Sequence, residues 1–143
     1  MTVINRSALL PFSTYQLFEL VSDVESYPRY MEGCAGACVL RREEDWVEAR
    51  LDLARAGISQ SFSTRNRMSA PREITLELID GPFEYFAGRW DFHALGDFAC
   101  KMSLNLEFTI NGTLLGVAAS RLFDKATNNL VDAVGRRASQ IYG

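Results

Sequence analysis

Few side chains in this sequence of 143 residues are spaced for covalent chemistry. The sole histidine, His93, falls on the polar side of an alternating stretch, where it reads as a solvated residue rather than a general base. Any triad built on histidine would have to use it, and no serine is specially placed beside it. Cys34 and Cys38 have a Cys-x-x-x-Cys spacing, but no second ligand pair accompanies them, so no structural metal is expected. With Cys100 they make an odd, sparse set that fits a reducing compartment better than a disulfide framework. There is no phosphate-cradling Gly-rich loop, nucleophile elbow or His-Glu-x-x-His. Most carboxylates fall on polar faces or in turns, and Asp23 has the position of a helix cap. The expectation is no catalytic residue, no metal and no cofactor.

The chemistry that remains is hydrogen bonding from an apolar face. Between Gln60 and Met68, Phe62 and Met68 share a face with Gln60, Thr64 and Asn66. A buried Asn without partners costs about 1–3 kcal/mol. Thr64 and Asn66 therefore either satisfy neighbours in a core or line a cavity and offer hydrogen bonds to a ligand. A bulge near Gly57 would instead turn both outward and place Arg65 and Arg67 inside. Phe62, Phe86, Trp90, Phe92 and Phe108 divide in the same way, as core or as the wall of an apolar pocket.

The elements that must position these residues are legible from periodicity. From Cys100 to Ile110 apolar and polar residues alternate, which marks a strand with one face on a core. Earlier strands are predicted over 2–10, 37–42, 47–53, 60–68, 74–78 and 86–94, with turns at Glu43-Glu44-Asp45, Ala56-Gly57, Ser69-Ala70-Pro71-Arg72, Asp80-Gly81-Pro82 and Gly96-Asp97. Six consecutive strands with short turns imply antiparallel neighbours. After the first strand, Ser13 and Gln16 form a capping box, with Phe12 and Leu17 as the staple, and a helix follows through Val21. Asp23 opens a second short helical turn, which Pro28 is expected to interrupt. One long helix spans 114–142, its stripe made of Leu115, Ala118, Leu122, Ala126, Leu130, Ala133 and Ile141, widened by Ala119, Phe123 and Val134. The fold class is α+β, in one domain over 1–143.

A hydrophobic content of 48% suits a globular chain with a substantial core. The net charge of -3 gives no global pull toward DNA or an anionic membrane. No apolar run approaches the roughly eighteen residues of a bilayer span, and the N-terminus lacks signal-peptide features, so a cytoplasmic location is expected.

Several stretches resemble the coenzyme-Q-binding START-domain family, once labelled oligoketide cyclase/lipid transport. They are Asp23-Val24-Glu25-Ser26-Tyr27-Pro28-Arg29-Tyr30, Gly33-Cys34, the run from Ala56 to Asn66, Asp80-Gly81-Pro82-Phe83, and Gly88-Arg89-Trp90-Asp91-Phe92. The resemblance covers essentially the whole chain, and Asp-Gly-Pro-Phe and Thr-Arg-Asn are its more specific segments. It implies the helix-grip fold, in which a seven-stranded antiparallel sheet wraps a long C-terminal helix and leaves a cavity. It also implies non-enzymatic binding and transport of ubiquinone or another polyprenyl quinone or lipid in support of respiration, with transient membrane contact. In that reading Phe62, Leu76, Trp90, Phe92, Leu104, Leu106, Phe108, Leu122, Ala126 and Leu130 form the wall. Thr64 and Asn66 meet a head-group oxygen, and Tyr27 and Met31 sit near the mouth. Relatives often carry a second proline where this chain has Met31-Glu32, which sets the mouth segment apart.

Two alternatives stay open. The family includes a toxin that binds the large ribosomal subunit, for which an RNA-facing basic surface is needed. Arg65, Arg67, Arg72 and Arg89, or Arg121, Lys125, Arg136 and Arg137, could supply it. The other alternative is a polyketide cyclase or aromatase that works by shaping a cavity, although no acid or base candidate stands out.

Overall fold

The computed structural model describes residues 1–110, 112 and 114–143, without the side chains of Leu114 and Leu115. The chain runs as β1 (Thr2–Leu10), α1 (Thr14–Ser22), a 3-10 helix (Val24–Arg29), β2 (Cys34–Arg42), β3 (Trp46–Arg55), β4 (Ile58–Ser69), β5 (Glu73–Asp80), β6 (Phe83–Gly96), β7 (Ala99–Ile110), α2 (Leu114–Asn128) and α3 (Leu130–Tyr142). Its strands form one antiparallel sheet in the order β1-β7-β6-β5-β4-β3-β2. Sequence neighbours from β2 to β7 pair in succession, and β1 joins at the far edge beside β7. This is the α+β helix-grip arrangement.

Alternation in β7 has the packing it implies. Cys100, Met102, Leu104, Leu106 and Phe108 are each 2% exposed or less, and their polar neighbours face outward. Burial of such side chains contributes about 1.5–3 kcal/mol apiece. The β3–β4 pairing runs from Trp46↔Arg67 to Arg55↔Ile58 with no register shift. Ala56 (φ 51°) and Gly57 (φ 81°) close that hairpin, and two successive positive φ values match the right-handed twist of the strands it joins. Without a bulge, Ala49↔Thr64 and Val47↔Asn66 put Thr64 and Asn66 on the inner face, and Arg65 and Arg67 lie outside.

The capping box forms as read. The Ser13 N–H donates to Gln16 Oε1 at 3.0 Å, and the Gln16 N–H donates to Ser13 Oγ at 3.2 Å. Pro28 does not interrupt the second helical turn; it lies inside the 3-10 helix. Asp23 makes no side-chain cap to the backbone there and instead accepts from Ser26 Oγ at 2.6 Å.

The C-terminal helix is bent at Asn129 rather than continuous. Thr127 Oγ1 donates to the carbonyls of Phe123 (2.8 Å) and Asp124 (3.2 Å), and Asn128 Nδ2 donates to the Asp124 carbonyl at 2.9 Å. These side chains load carbonyls that the helical ladder also needs, a recognised cause of bending. Ala118 is half-buried, while Leu122, Ala126, Leu130 and Ala133 of the expected stripe are buried. Ile141 is 49% exposed, because the bend carries the last turn off the sheet. The Leu115 side chain lies outside the described residues. None of the described helices is long and apolar enough to cross a membrane.

Candidate functional site

Between the inner face of the sheet and α2 lies an internal cavity of about 60 Å³. Five strands and three helical segments supply its wall. Tyr27 and Met31 bound it at the 3-10 helix, and Phe62, Thr64 and Asn66 enter from β4. Leu76, Trp90, Leu104, Leu106 and Leu130, all expected from the sequence, also line it. Gly88 makes the room on β6: a Cβ there would stand 2.6 Å from Leu106 Cδ2.

Four expected wall residues lie elsewhere. Phe92 is directed beneath α1, where its ring meets Phe18 edge-on at 5.5 Å. Phe108 is wholly buried behind Phe123. Leu122 and Ala126 flank a separate small crevice with Glu32 and Gly33, because α2 turns a different side to the cavity. That side carries Phe123 and Thr127, continued by Leu130, at helical spacing. Phe123 and Thr127 were not expected in the wall, nor were Val24, Ala49, Leu51 and Leu53; Phe86, read as core or wall, is in it. Ala49, Leu51 and Leu53 alternate with Glu48, Arg50 and Asp52, so their signal is present in the sequence. Thr127 had none, since a helical Thr ordinarily reads as polar surface.

Polar chemistry in the wall is sparse. Thr64 Oγ1 donates to Asn66 Oδ1 at 2.7 Å, both side chains being buried. That is the only side-chain hydrogen bond of Asn66 among the described residues, which leaves its Nδ2 to donate toward the cavity. The Tyr27 hydroxyl donates to the Val21 carbonyl, and Thr127 Oγ1 is spent on its own helix. Burial, then the neighbouring Tyr30, Cys34 and Asp23, push the Tyr27 phenol well above its ordinary range, so it stays protonated. Burial likewise raises the Cys34 thiol. Among the described residues no group of three or more His, Cys, Asp or Glu is placed to hold a metal.

Aromatic rings crowd around Phe123 in the cavity wall. Phe123 lies 4.7 Å from Phe108, 5.1 Å from Phe83, 5.2 Å from Phe62 and 6.1 Å from Phe86, each contact near edge-on. A dry apolar cavity that accepts benzene is about 150 Å³. This one is therefore closed to a ring-bearing ligand until these side chains move.

The outer surface sorts the basic candidates. Arg65 donates to Glu48 through Nε (3.0 Å) and Nη2 (2.7 Å), and its guanidinium lies 4.4 Å from the Trp46 ring centroid. Glu48 is only 8% exposed although it points outward, since Arg65 lies across it and Arg41 pairs with it as well. Arg67 pairs with Glu77 and Arg89 with Asp91. The basic patch expected on the sheet is thus largely neutralised by its own carboxylates. Exposed Arg121, Lys125 and Arg136 on α2 and α3 enter no ion pair among the described residues.

Comparison with known proteins gives four findings of different reach. Residues 10–134 match the family described as polyketide cyclase / dehydrase and lipid transport. A Vibrio cholerae protein named ribosome association toxin RatA is 42% identical over 143 residues, covering 100% of this chain and 99% of its own. The Xenopus laevis mitochondrial coenzyme Q-binding protein COQ10 homolog B is 22% identical over 97% of this chain and 59% of its own. Among solved structures, the Zhui aromatase/cyclase from a Streptomyces species superimposes with a TM-score of 0.86 at 14% identity, over 99% of this chain and 96% of that one. That last likeness is one of fold alone.

Proposed function

Because the chain belongs to the polyketide cyclase / dehydrase and lipid transport family, we propose that it binds an amphiphile of the quinone or lipid class in the cavity, without chemically altering it. One observation carries the reading: an apolar cavity between sheet and helix whose side-chain hydrogen-bonding capacity is concentrated in the Thr64–Asn66 pair. Its one ionisable lining side chain, Tyr27, is protonated and already bonded. A wall of that kind rewards removal of methylenes from water, about 0.8 kcal/mol each, and supplies no acid or base for turnover. The relative named for coenzyme Q binding favours a polyprenyl quinone within this class. Transient contact with a membrane follows from such a ligand, which resides in bilayers.

A second reading rests on the similarity over the full chain to a protein named for ribosome association. Here the unpaired Arg121, Lys125 and Arg136 on the helical face would meet RNA phosphates on the large subunit, and the cavity would play no direct part.

One preparation tests both readings. Native mass spectrometry of the purified protein, before and after addition of decylubiquinone, is expected to show a one-to-one complex. Sedimentation with ribosomal subunits reads the second function, which predicts co-migration lost in the Arg121→Glu/Lys125→Glu variant. Repeated recovery empty, with no adduct from added quinone or lipid, overturns the first reading. Unchanged subunit joining and no co-migration overturn the second.

A further inference from the structure

We infer that the seam between the 3-10 helix and α3, at Tyr30 and Arg137, is a subsite for the oxygen-bearing head group of the amphiphile whose tail enters the cavity. The inference rests on the cavity being a lipid site, and it adds which end of the ligand lies where and what head group is accepted. Among the described residues, the buried side-chain polar atoms without a hydrogen-bond partner are Tyr30 Oη and Arg137 Nε. Leaving such atoms unpaired is costly, the more so for a charged group, and natural structures do it rarely. These two are neighbours: the Arg137 guanidinium carbon lies 5.7 Å from the centre of the Tyr30 ring.

Their chemistry is matched. Burial and the charge of Asp23 raise the Tyr30 phenol far above neutrality, outweighing the opposing effect of Arg137, so the hydroxyl carries its proton. Arg137 Nε–H is a donor with no acceptor capacity. Unpaired donors on two neighbouring side chains call for an acceptor oxygen, such as a quinone carbonyl or a carboxylate. An alcohol or quinol can offer its oxygen there, but its own hydroxyl proton then has only the Tyr30 oxygen as acceptor, since Arg137 has none.

The seam lies beside residues that line the cavity. Tyr27 and Met31, on either side of Tyr30 in sequence, both line it. On α3, Leu130 lines it too, and seven residues of helix place Arg137 about 10 Å further along. A head group at Arg137 therefore has an apolar tail's length to reach the cavity. Both side chains are half-buried, but the two unpaired atoms are themselves closed to solvent, so a head group reaches them only when the seam opens.

The test uses pairs of probes with matched tails: palmitate against hexadecanol, and decylubiquinone against decylubiquinol. In the wild-type protein the acceptor-bearing member of at least one pair is expected to bind about tenfold tighter or more. Arg137→Met and Tyr30→Phe, which keep the apolar bulk of each side chain, should each erase most of that preference, the loss falling mainly on the acceptor-bearing member of the pair. A preference in the palmitate pair alone identifies a carboxylate head group, and one in the quinone pair alone a carbonyl. Equal binding within both pairs, or a preference that survives both substitutions, overturns the subsite; retained hexadecanol binding would then leave the lipid site standing. If none of the four probes binds, the lipid site fails and the subsite with it.

Discussion

Replacing Phe123 with alanine is expected to destabilise the protein by about 3–5 kcal/mol, the range for truncating a core aromatic. At this chain length that corresponds to a fall of roughly 10 °C or more in melting temperature. The ring is 4% exposed and touches four other phenylalanine rings, so neighbours on every side lose contacts together. The same change vacates space next to the existing 60 Å³. The enlarged void should approach the roughly 150 Å³ that takes up benzene. Benzene is thus expected to raise the melting temperature of the Phe123→Ala variant more than that of the wild type. A stability loss below about 1 kcal/mol would mean that the ring does not close the interior.

The Thr64–Asn66 pair should behave in the opposite, non-additive way. Thr64→Val removes the donor at 2.7 Å and leaves the buried Asn66 amide short of a partner, at a cost of about 1–3 kcal/mol. Replacing both, as Thr64→Val with Asn66→Leu, substitutes apolar groups of similar shape and should recover much of that loss. Denaturant unfolding of the two single variants and the double variant gives the coupling, expected at about 1 kcal/mol or more. Simple additivity would show that the two side chains do not depend on each other.

Much of this fold could be read from residue order because its strands carry single-sided burial. Cys100 to Phe108 alternate so regularly that only one face can be core, and the structure buries that face. The 3.6-residue pattern after Leu114 likewise gave a helix. What the pattern lacked was the helix's rotation. An apolar stripe wider than about 100° fixes a side and not its centre, so Leu122 and Ala126 were expected where Phe123 and Thr127 stand, one residue and about 100° away. The bend at Asn129 was missed for a related reason. It arises from the Thr127 and Asn128 side chains bonding to backbone carbonyls, and apolar periodicity carries no record of such bonds.

For the site, the decisive unknown was register. Thr64 and Asn66 face the cavity only because β3 and β4 pair without a bulge, and a one-residue slip would have exchanged them for Arg65 and Arg67. The ion pair of Arg65 with Glu48 was equally out of reach, since the two are 17 residues apart and meet only across that ladder. Phe92 and Phe108 were correctly read as inward. Their partners, Phe18 on α1 and Phe123 on α2, decide that they serve the core rather than the wall.

The most direct measurement is a methyl NMR titration of the protein with decylubiquinone. If the cleft between sheet and bent helix is where a greasy guest resides, the methyls of Leu51, Leu53, Leu76, Leu104, Leu106 and Leu130 should shift and saturate together. Those of Leu9, Leu40, Ile79 and Leu95 on the exposed surface should stay still. Perturbation confined to that surface set, or none at saturating quinone, would contradict the account.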